Sequence, residues 1–569
     1  MSKRPPNLLY GVDDTPPLLT LLLLGVQHVF IITISLIFPV LIIRAIGGSA
    51  AQAGFMVSMA MLAAGVGTIL QALNRKGIGS GYLCPALCGP SFLSASLLAA
   101  KTGGLSLLFG MTTVAGMFEV LLSRVLHRLR VLFPPEVTGT VVTMVGITVI
   151  PVAISNFMGL DATDTVTERS ELIVAVVTLG AMVCTNVWCK GKLKLYPILV
   201  GMILGYTLSY LLGILGVADL RQFSQAPLLA VPDLDYFGWS FDVLLLAPFL
   251  IAITCSLLKT VGDITTCQKI NDLDWKRVDM KNVSGGILAD GLSAAVGGLV
   301  GTMGQSTSSS NIGLSIGTGA TSRRIAFATG GILVVLAFFP KLATIFVIMP
   351  KPVMGATLLF AISFMIVAGF QIIMSRMLDV RKTFVVGISI IFGLSVDVLP
   401  GLYEHVHPWI HPIFSSSLSL AAILAVSLNL LLRLGIARRQ QLVLRPGVDT
   451  TDAIFAFMEK QGAAWGARKD VIYRAISALN EFYESATLLG LAKSEITVDV
   501  SFDEFNLDVD IRYTGTLMDF PTERPTEVDL LRDTRTTVKL AGFMIMHYVD
   551  QLKSDAKGDS CRIQFHFEH

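Results

Sequence analysis

Twelve apolar stretches recur along this chain, each close to the ~20 residues an α-helix needs to cross a bilayer. They lie near residues 18–43, 52–73, 104–123, 135–157, 171–188, 195–215, 243–262, 285–300, 325–340, 353–375, 383–399 and 416–436. In hydrocarbon every backbone N–H and C=O needs a partner inside the protein, so stretches of this kind fold as helices and the chain is a polytopic membrane protein. A hydrophobic content of 53% against 15% charged residues, with a mean hydropathy of +0.69, excludes an ordinary soluble protein. The net charge of +2 is spread over short loops and forms no block suited to nucleic acid.

Two shorter segments, 83–100 and 303–320, are interrupted by Gly, Pro and Ser. Non-helical backbone survives at membrane depth only where protein or a watered cavity surrounds it, which is how transporters build substrate sites. The run Ser306 to Gly319 is therefore the leading candidate for a binding site. If each broken segment crosses as a strand-like stretch plus a half-helix, the spans number fourteen. Lys and Arg support that number: with the N-terminus inside, the predicted cytoplasmic loops hold seventeen basic residues and the opposite loops six. Both termini are then cytoplasmic, and the first residues read as a tail, not a signal peptide.

The segment Phe133-Pro134-Pro135-Glu136-Val137-Thr138-Gly139 recurs as Met349-Pro350-Lys351-Pro352-Val353-Met354-Gly355, 216 residues later. Each copy follows a broken segment and opens a long span, so the chain reads as two sets of seven. An odd number of spans per repeat forces inverted topology, the architecture of secondary transporters with a midplane site between half-helix N-termini.

Ionisable residues inside spans cost ~2.5–3.5 kcal/mol each on insertion scales and are functional candidates by default. Here they are His28, Glu119, Lys259, Asp263 and Asp290. Lys259 and Asp263 are one helical turn apart and can pair, as a functional couple or as simple mutual neutralisation. Asp290 sits among Gly285, Gly286, Gly291, Gly297 and Gly298, a composition suited to close helix packing. His28 and Glu119 read equally as packing groups. The seven cysteines lack metal-ligand spacing, with Cys84 and Cys88 read as small packing residues. No span assembles a nucleophile with a base, so neither enzymatic chemistry nor a cofactor or metal is expected.

Taken together, Gln27-His28, Gly89-Pro90-Ser91-Phe92, Phe133 to Gly139, Gly262-Asp263, Asp290-Gly291 and Ser310-Asn311-Ile312-Gly313-Leu314-Ser315-Ile316-Gly317-Thr318-Gly319 resemble the motifs of the nucleobase–ascorbate transporter family, the uracil/xanthine permeases. The resemblance covers about residues 15–440. It implies a core domain (spans one to four and eight to eleven) moving against a gate domain (five to seven and twelve to fourteen), a homodimer in the cell (inner) membrane, and proton-coupled uptake of a purine or pyrimidine base. The base would lie between the half-helices after Gly89 and Ser310, with Ser91, Lys259, Ser310, Asn311 and Gly313 about it. Phe92 reads either as a wall against the ring or as core filler. His28, Asp263 and Asp290 would couple the proton.

Two positions depart from that family. Members usually carry a glutamate at Lys259 and a glutamine or glutamate at Ser310. A lysine is donor-only and cationic; the change shifts the local charge by two units, each worth ~4 kcal/mol at 4 Å and an effective dielectric of 20. An anionic purine such as urate or deprotonated xanthine is then favoured over uracil, the alternative being an anion transporter or exchanger on the same scaffold with Lys259 as the anion contact.

After Arg438-Arg439 the composition becomes charged and mixed. The organisation expected is a tail at 1–16, a transporter domain at 17–440 and a cytoplasmic α/β domain at 445–569. Periodicity predicts helices over 450–463, 468–489 and 536–553, strands over 495–502, 506–514 and 560–567, and a Thr/Arg/Asp-rich loop before the last helix. This order resembles the ATP-binding fold of histidine kinases and anti-sigma-factor kinases. Ser485, four residues after Glu481, and Tyr513 ahead of Gly515 stand where that fold places its magnesium-holding Asn and adenine-reading Asp. The expectation is a regulatory or dimerisation module without ATP hydrolysis.

Overall fold

The computed structural model describes residues 5–568 except 7, 76, 130–133, 161–166, 190–195, 232–237, 274, 276–277, 376, 404–405, 407–413, 415, 433–438, 504–505, 522 and 524–533, and leaves out the side chains of 126–129 and 534–538. Phe133 of the repeated segment, and residues 524–533 of the loop expected before the last helix, lie outside the described residues.

Among the described residues, the fourteen expected crossings are found as elements. Long apolar helices occupy Leu18–Ala45, Ala50–Leu73, Pro135–Phe157, Arg169–Trp188, Val243–Asn271, Met280–Val300 and Lys351–Ile373. A further helix, Pro90–Val125, is two spans in series, broken at Gly103 and Gly104, the latter at φ +71°. Arg323–Leu336 bends by 86° into Pro340–Val347, and shorter helices cover Pro197–Leu211, Val380–Val398 and Ser417–Leu432. The remaining crossing is the second broken one, strand β2 (Gln305–Thr307) followed by the half-helix Ser309–Thr318. Its counterpart is β1 (Ala86–Cys88), which feeds the half-helix that starts at Pro90. The repeated proline segments open the fifth and twelfth spans, at Pro135 and Lys351.

Glycine sets the closest helix contacts. A Cβ added at Gly116 would stand 2.3 Å from the Ala295 nitrogen, one at Gly291 2.8 Å from the Val120 nitrogen, and one at Gly298 2.5 Å from the Thr113 nitrogen. The fourth and ninth spans therefore touch backbone to backbone, as the small-residue composition of the ninth predicts. Gly65 and Gly330 bring the second and eleventh spans together in the same way.

The chain before the first span is laced to the end of the second half-helix. The Leu9 and Tyr10 N–H groups donate to Gly319 O, those of Thr321 and Arg323 to Tyr10 O and Val12 O. Arg323 also pairs with Asp13. The N-terminus and the 319–323 loop thus lie on one face of the membrane, as the alternation of basic loops requires.

Contacts divide the chain into two compact units, Met1–Gln371 with Ile388–Val426, and Ile372–Gly387 with Ser427–His569. The second unit carries a five-stranded antiparallel sheet of β3 (Arg439–Leu444), β4 (Ile496–Phe502), β5 (Asn506–Thr514), β6 (Gln551–Lys557) and β7 (Ser560–Glu568) in the order β3-β4-β5-β7-β6. Helices Thr451–Trp465, Lys469–Leu488 and Thr534–Tyr548 accompany it. Burial alternates strictly along β4 and β5, which is why their pattern was legible. β3 and β6 were not anticipated, and the last helix stops at Tyr548, short of the expected 553. Both are edge strands, and β6 is exposed on both faces, so it carries no alternation to read. Within this unit Lys382 Nζ donates to Ala463 O at 2.6 Å, and Met377 packs into the apolar core.

Candidate functional site

β1 and β2 pair antiparallel, with Ala86 opposite Thr307, Leu87 opposite Ser306 and Cys88 opposite Gln305. The ladder is extended by Gly89 N–H to Gly304 O (2.9 Å) and Ser308 N–H to Pro85 O (2.8 Å). Antiparallel strands send their half-helices away in opposite directions, so both helix N-termini meet at the crossing. Their partial positive charges favour acceptor or anionic groups there.

The eighth and ninth spans supply the charged groups. Asp263 is ringed by donors: Thr307 Oγ1 at 2.6 Å and the Lys259 ammonium at 3.2 Å on Oδ2, and Ser309 Oγ at 2.6 Å on Oδ1. Lys259 also donates to the Thr307 carbonyl. Two of its three ammonium donors are therefore engaged, and its side chain keeps 13% of its surface exposed. Asp290 Oδ2 accepts from Thr260 Oγ1 at 2.7 Å and Ser256 Oγ at 3.2 Å. Thr260 Oγ1 stands 3.1 Å from Thr307 Oγ1, so the two hydroxyls, each donating to its own aspartate, lie close enough for one to turn and donate to the other.

Ser308 caps the second half-helix, its Oγ accepting from Asn311 N–H and from Asn311 Nδ2 at 2.8 Å. The amide oxygen of Asn311 then faces His28 Nδ1 at 2.7 Å. Because Asn311 Oδ1 only accepts, the proton of this bond belongs to Nδ1 of His28. The bond ties the first span to the second half-helix across 283 residues of sequence.

Five residues singled out from sequence, His28, Lys259, Asp263, Asp290 and Asn311, thus lie in or beside the hydrogen-bonded groups on the second half-helix. Ser310 and Gly313 are exposed on its other face, and the space around Gly313 is open. Ser91 and Phe92 belong to the first half-helix. Ser91 is buried, with no hydrogen-bond partner among the described residues, and lines a cavity with Ser94, Pro248, Ser416 and Ser419. Phe92 is fully buried, filling the space beside Gly89 and Gly304. The hydroxyls of Ser256, Thr260, Thr307 and Ser309 were not singled out. Serine and threonine are too common in apolar helices to stand out, although Thr307 and Ser309 fall inside the flagged polar run.

The family described as Permease family (Xan_ur_permease) matches residues 19–402. The chain belongs to this permease family. It is a membrane transporter, and not an enzyme. The xanthine permease XanQ of Escherichia coli (strain K12) is 30% identical over 464 residues, spanning 78% of this chain and 97% of that protein. Xanthine permease XanP of the same organism is 29% identical over 441 residues, spanning 75% and 94%. Among solved structures, the murine Solute Carrier 26 family member A9 anion transporter superposes with a TM-score of 0.50 at 12% identity, over 77% of this chain and 72% of that one. That likeness is one of fold, the inverted pair of seven-span repeats.

Proposed function

We propose that this permease carries a purine base by proton symport, with an anionic, xanthine- or urate-like purine preferred over uracil. The support for a nucleobase is the near full-length similarity to the xanthine permeases. Support for the preference is Lys259: among the described residues one ammonium donor is unengaged beside two half-helix N-termini, an environment that rewards an acceptor-rich or anionic edge. Protonation passes through Asp263 and Asp290, joined by Thr260 and Thr307. In this reading His28 and Asn311 hold the second half-helix in register, and Ser91, Ser310 and Gly313 border the path of the base. Phe92 then supports the crossing from behind.

The Ser427–His569 portion of the second unit is assigned a regulatory role. Lys382, in the first turn of the helix Val380–Val398, is held by the carbonyl of Ala463, so this unit includes part of the transporter chain itself.

The deciding experiment is uptake of labelled xanthine, urate and uracil into proteoliposomes under an imposed proton gradient, with sulfate and small carboxylates as competitors, for the natural chain and Lys259→Glu. Gradient-driven xanthine or urate uptake, lost or redirected towards uracil in Lys259→Glu, is expected. Uptake of none of the bases, with accumulation of simple anions, would replace this reading by anion transport.

A further inference from the structure

Proton coupling through Asp263 and Asp290 leaves the buried acid Glu119 unused. Glu119, in the fourth span, is fully buried. The backbone contact at Gly116 and Gly291 brings its helix so close to the ninth span that a Cβ at Gly291 would lie 2.9 Å from that of Glu119. Gly291 adjoins Asp290, so this close approach makes the Glu119 carboxyl and that of Asp290 neighbours across the two touching helices. Among the described residues, neither oxygen of Glu119, nor Oδ1 of Asp290, meets a donor. Three acceptor atoms without a protein donor on two buried, neighbouring acids are costly if both are ionised, because like charges close together in a low-dielectric interior repel. One proton resolves the arrangement: carried by either acid, it is donated to the other.

The charged groups around the pair are engaged elsewhere. From the eighth span Lys259 and Asp263 act on Asp290, and Lys259 is already bound to Asp263 and to the Thr307 carbonyl. From the first span, His28 is engaged with Asn311. Ser256 and Thr260 serve only the other oxygen of Asp290.

We propose that Glu119 and Asp290 form a proton-sharing carboxyl pair, and that Glu119 is the storage end of the line running through Asp290, Thr260 and Thr307 to Asp263. The transfer balances residue by residue. Glu119 gives its proton to Oδ1 of Asp290, which becomes a neutral acid, and rotation of that carboxyl group turns the new O–H towards Thr260 Oγ1. Asp290 gives this proton to Thr260, Thr260 turns and hands its own hydroxyl proton to Thr307, and Thr307 hands its own to Asp263. Glu119 ends ionised and Asp263 ends protonated, while Asp290, Thr260 and Thr307 have each gained one proton and lost one. The coupling role rests on the proton-symport reading above. The shared proton does not.

Two measurements test this on the full-length protein in lipid. The first is pH-difference infrared spectroscopy without any substrate. The natural chain is expected to show the carbonyl stretch of a protonated carboxylic acid above about pH 7, where ordinary Asp and Glu are ionised. In Glu119→Gln, whose amide donates permanently to Asp290, that band should vanish or titrate lower by about one pH unit or more. No such band in the natural chain, or an unchanged band in Glu119→Gln, would overturn the pair. The natural chain decides the matter even if the variant fails to fold. The second measurement compares proton-driven accumulation of labelled xanthine with its equilibrium exchange. Glu119→Gln should lower accumulation relative to exchange, and a parallel fall of both would overturn the coupling role. Absence of any purine uptake by the natural chain would count against the symport reading, and with it the storage role, but leave the infrared result standing.

Discussion

The hydroxyl of Thr307 donates to Oδ2 of Asp263 at 2.6 Å, and so fastens the short strand β2 to the eighth span at the oxygen that Lys259 also holds. A hydrogen bond to a buried charged group contributes about 1.5–3 kcal/mol. Thr307→Val keeps the shape and removes the donor, and is expected to weaken xanthine binding about tenfold to a hundredfold. Thr307→Ser should restore most of it. Isothermal titration of the two variants checks this, and equal affinities would show that the bond is incidental.

Lys259→Ala leaves Asp263 without its cation in a setting where only 9% of the aspartate side chain is exposed. Breaking a buried pair by removing one partner costs about 3–5 kcal/mol, an upper bound for a site with this residual exposure. The thermal midpoint should drop clearly, and the double variant Lys259→Ala/Asp263→Asn should recover part of the loss. A double variant less stable than Lys259→Ala would refute the pairing.

The backbone contact of the fourth and ninth spans admits no side chain at Gly291, where a Cβ would come within 2.8 Å of a backbone nitrogen. Overpacking of this kind costs about 1–3 kcal/mol or more, so Gly291→Val should yield little monodisperse protein on size-exclusion chromatography. Gly331, with open space around it, serves as the control, and Gly331→Ala should behave as the natural chain does.

Removing residues 1–14 takes away the carbonyls of Tyr10 and Val12 that receive the Thr321 and Arg323 N–H groups. Hydrogen exchange at those two amides should accelerate about tenfold, the equivalent of one lost hydrogen bond. Unchanged exchange would mean that the strap does not hold that loop.

In the second unit, Lys382→Met keeps the stem and loses the ammonium that reaches Ala463 O. A charged hydrogen bond at a largely buried lysine is worth about 1.5–3 kcal/mol, so proteolysis within the helix Thr451–Trp465 should quicken. Identical cleavage rates would count against the anchor.

What could be read from the sequence followed from hydrocarbon's intolerance of polar groups. The fourteen crossings, the two breaks and the i, i+4 pair Lys259–Asp263 all declare themselves because each is either demanded or penalised by the membrane. The pairing of β1 with β2 was less visible, since three-residue strands carry no periodicity and their partners stand 221 residues apart at Ala86 and Thr307 and 217 apart at Cys88 and Gln305. The His28–Asn311 contact joins two segments that only the fold brings together. The hydroxyl line from Asp290 to Asp263 escaped notice because nothing distinguishes a working threonine from one bonded to its own helix, as Thr254 is to Leu250.

The β1–β2 crossing also has an unequal distribution of chemistry. Its scaffold is nearly symmetric, yet the first arm reads Ala86-Leu87-Cys88-Gly89-Pro90, whereas the second reads Gln305-Ser306-Thr307-Ser308-Ser309. Duplication supplied two equivalent cradles, and only one became literate. The apolar arm can drift in sequence so long as its shape persists, while the polar arm carries the vocabulary by which one solute is told from another. A change of cargo during evolution would be written on the second arm and the helix face opposite it.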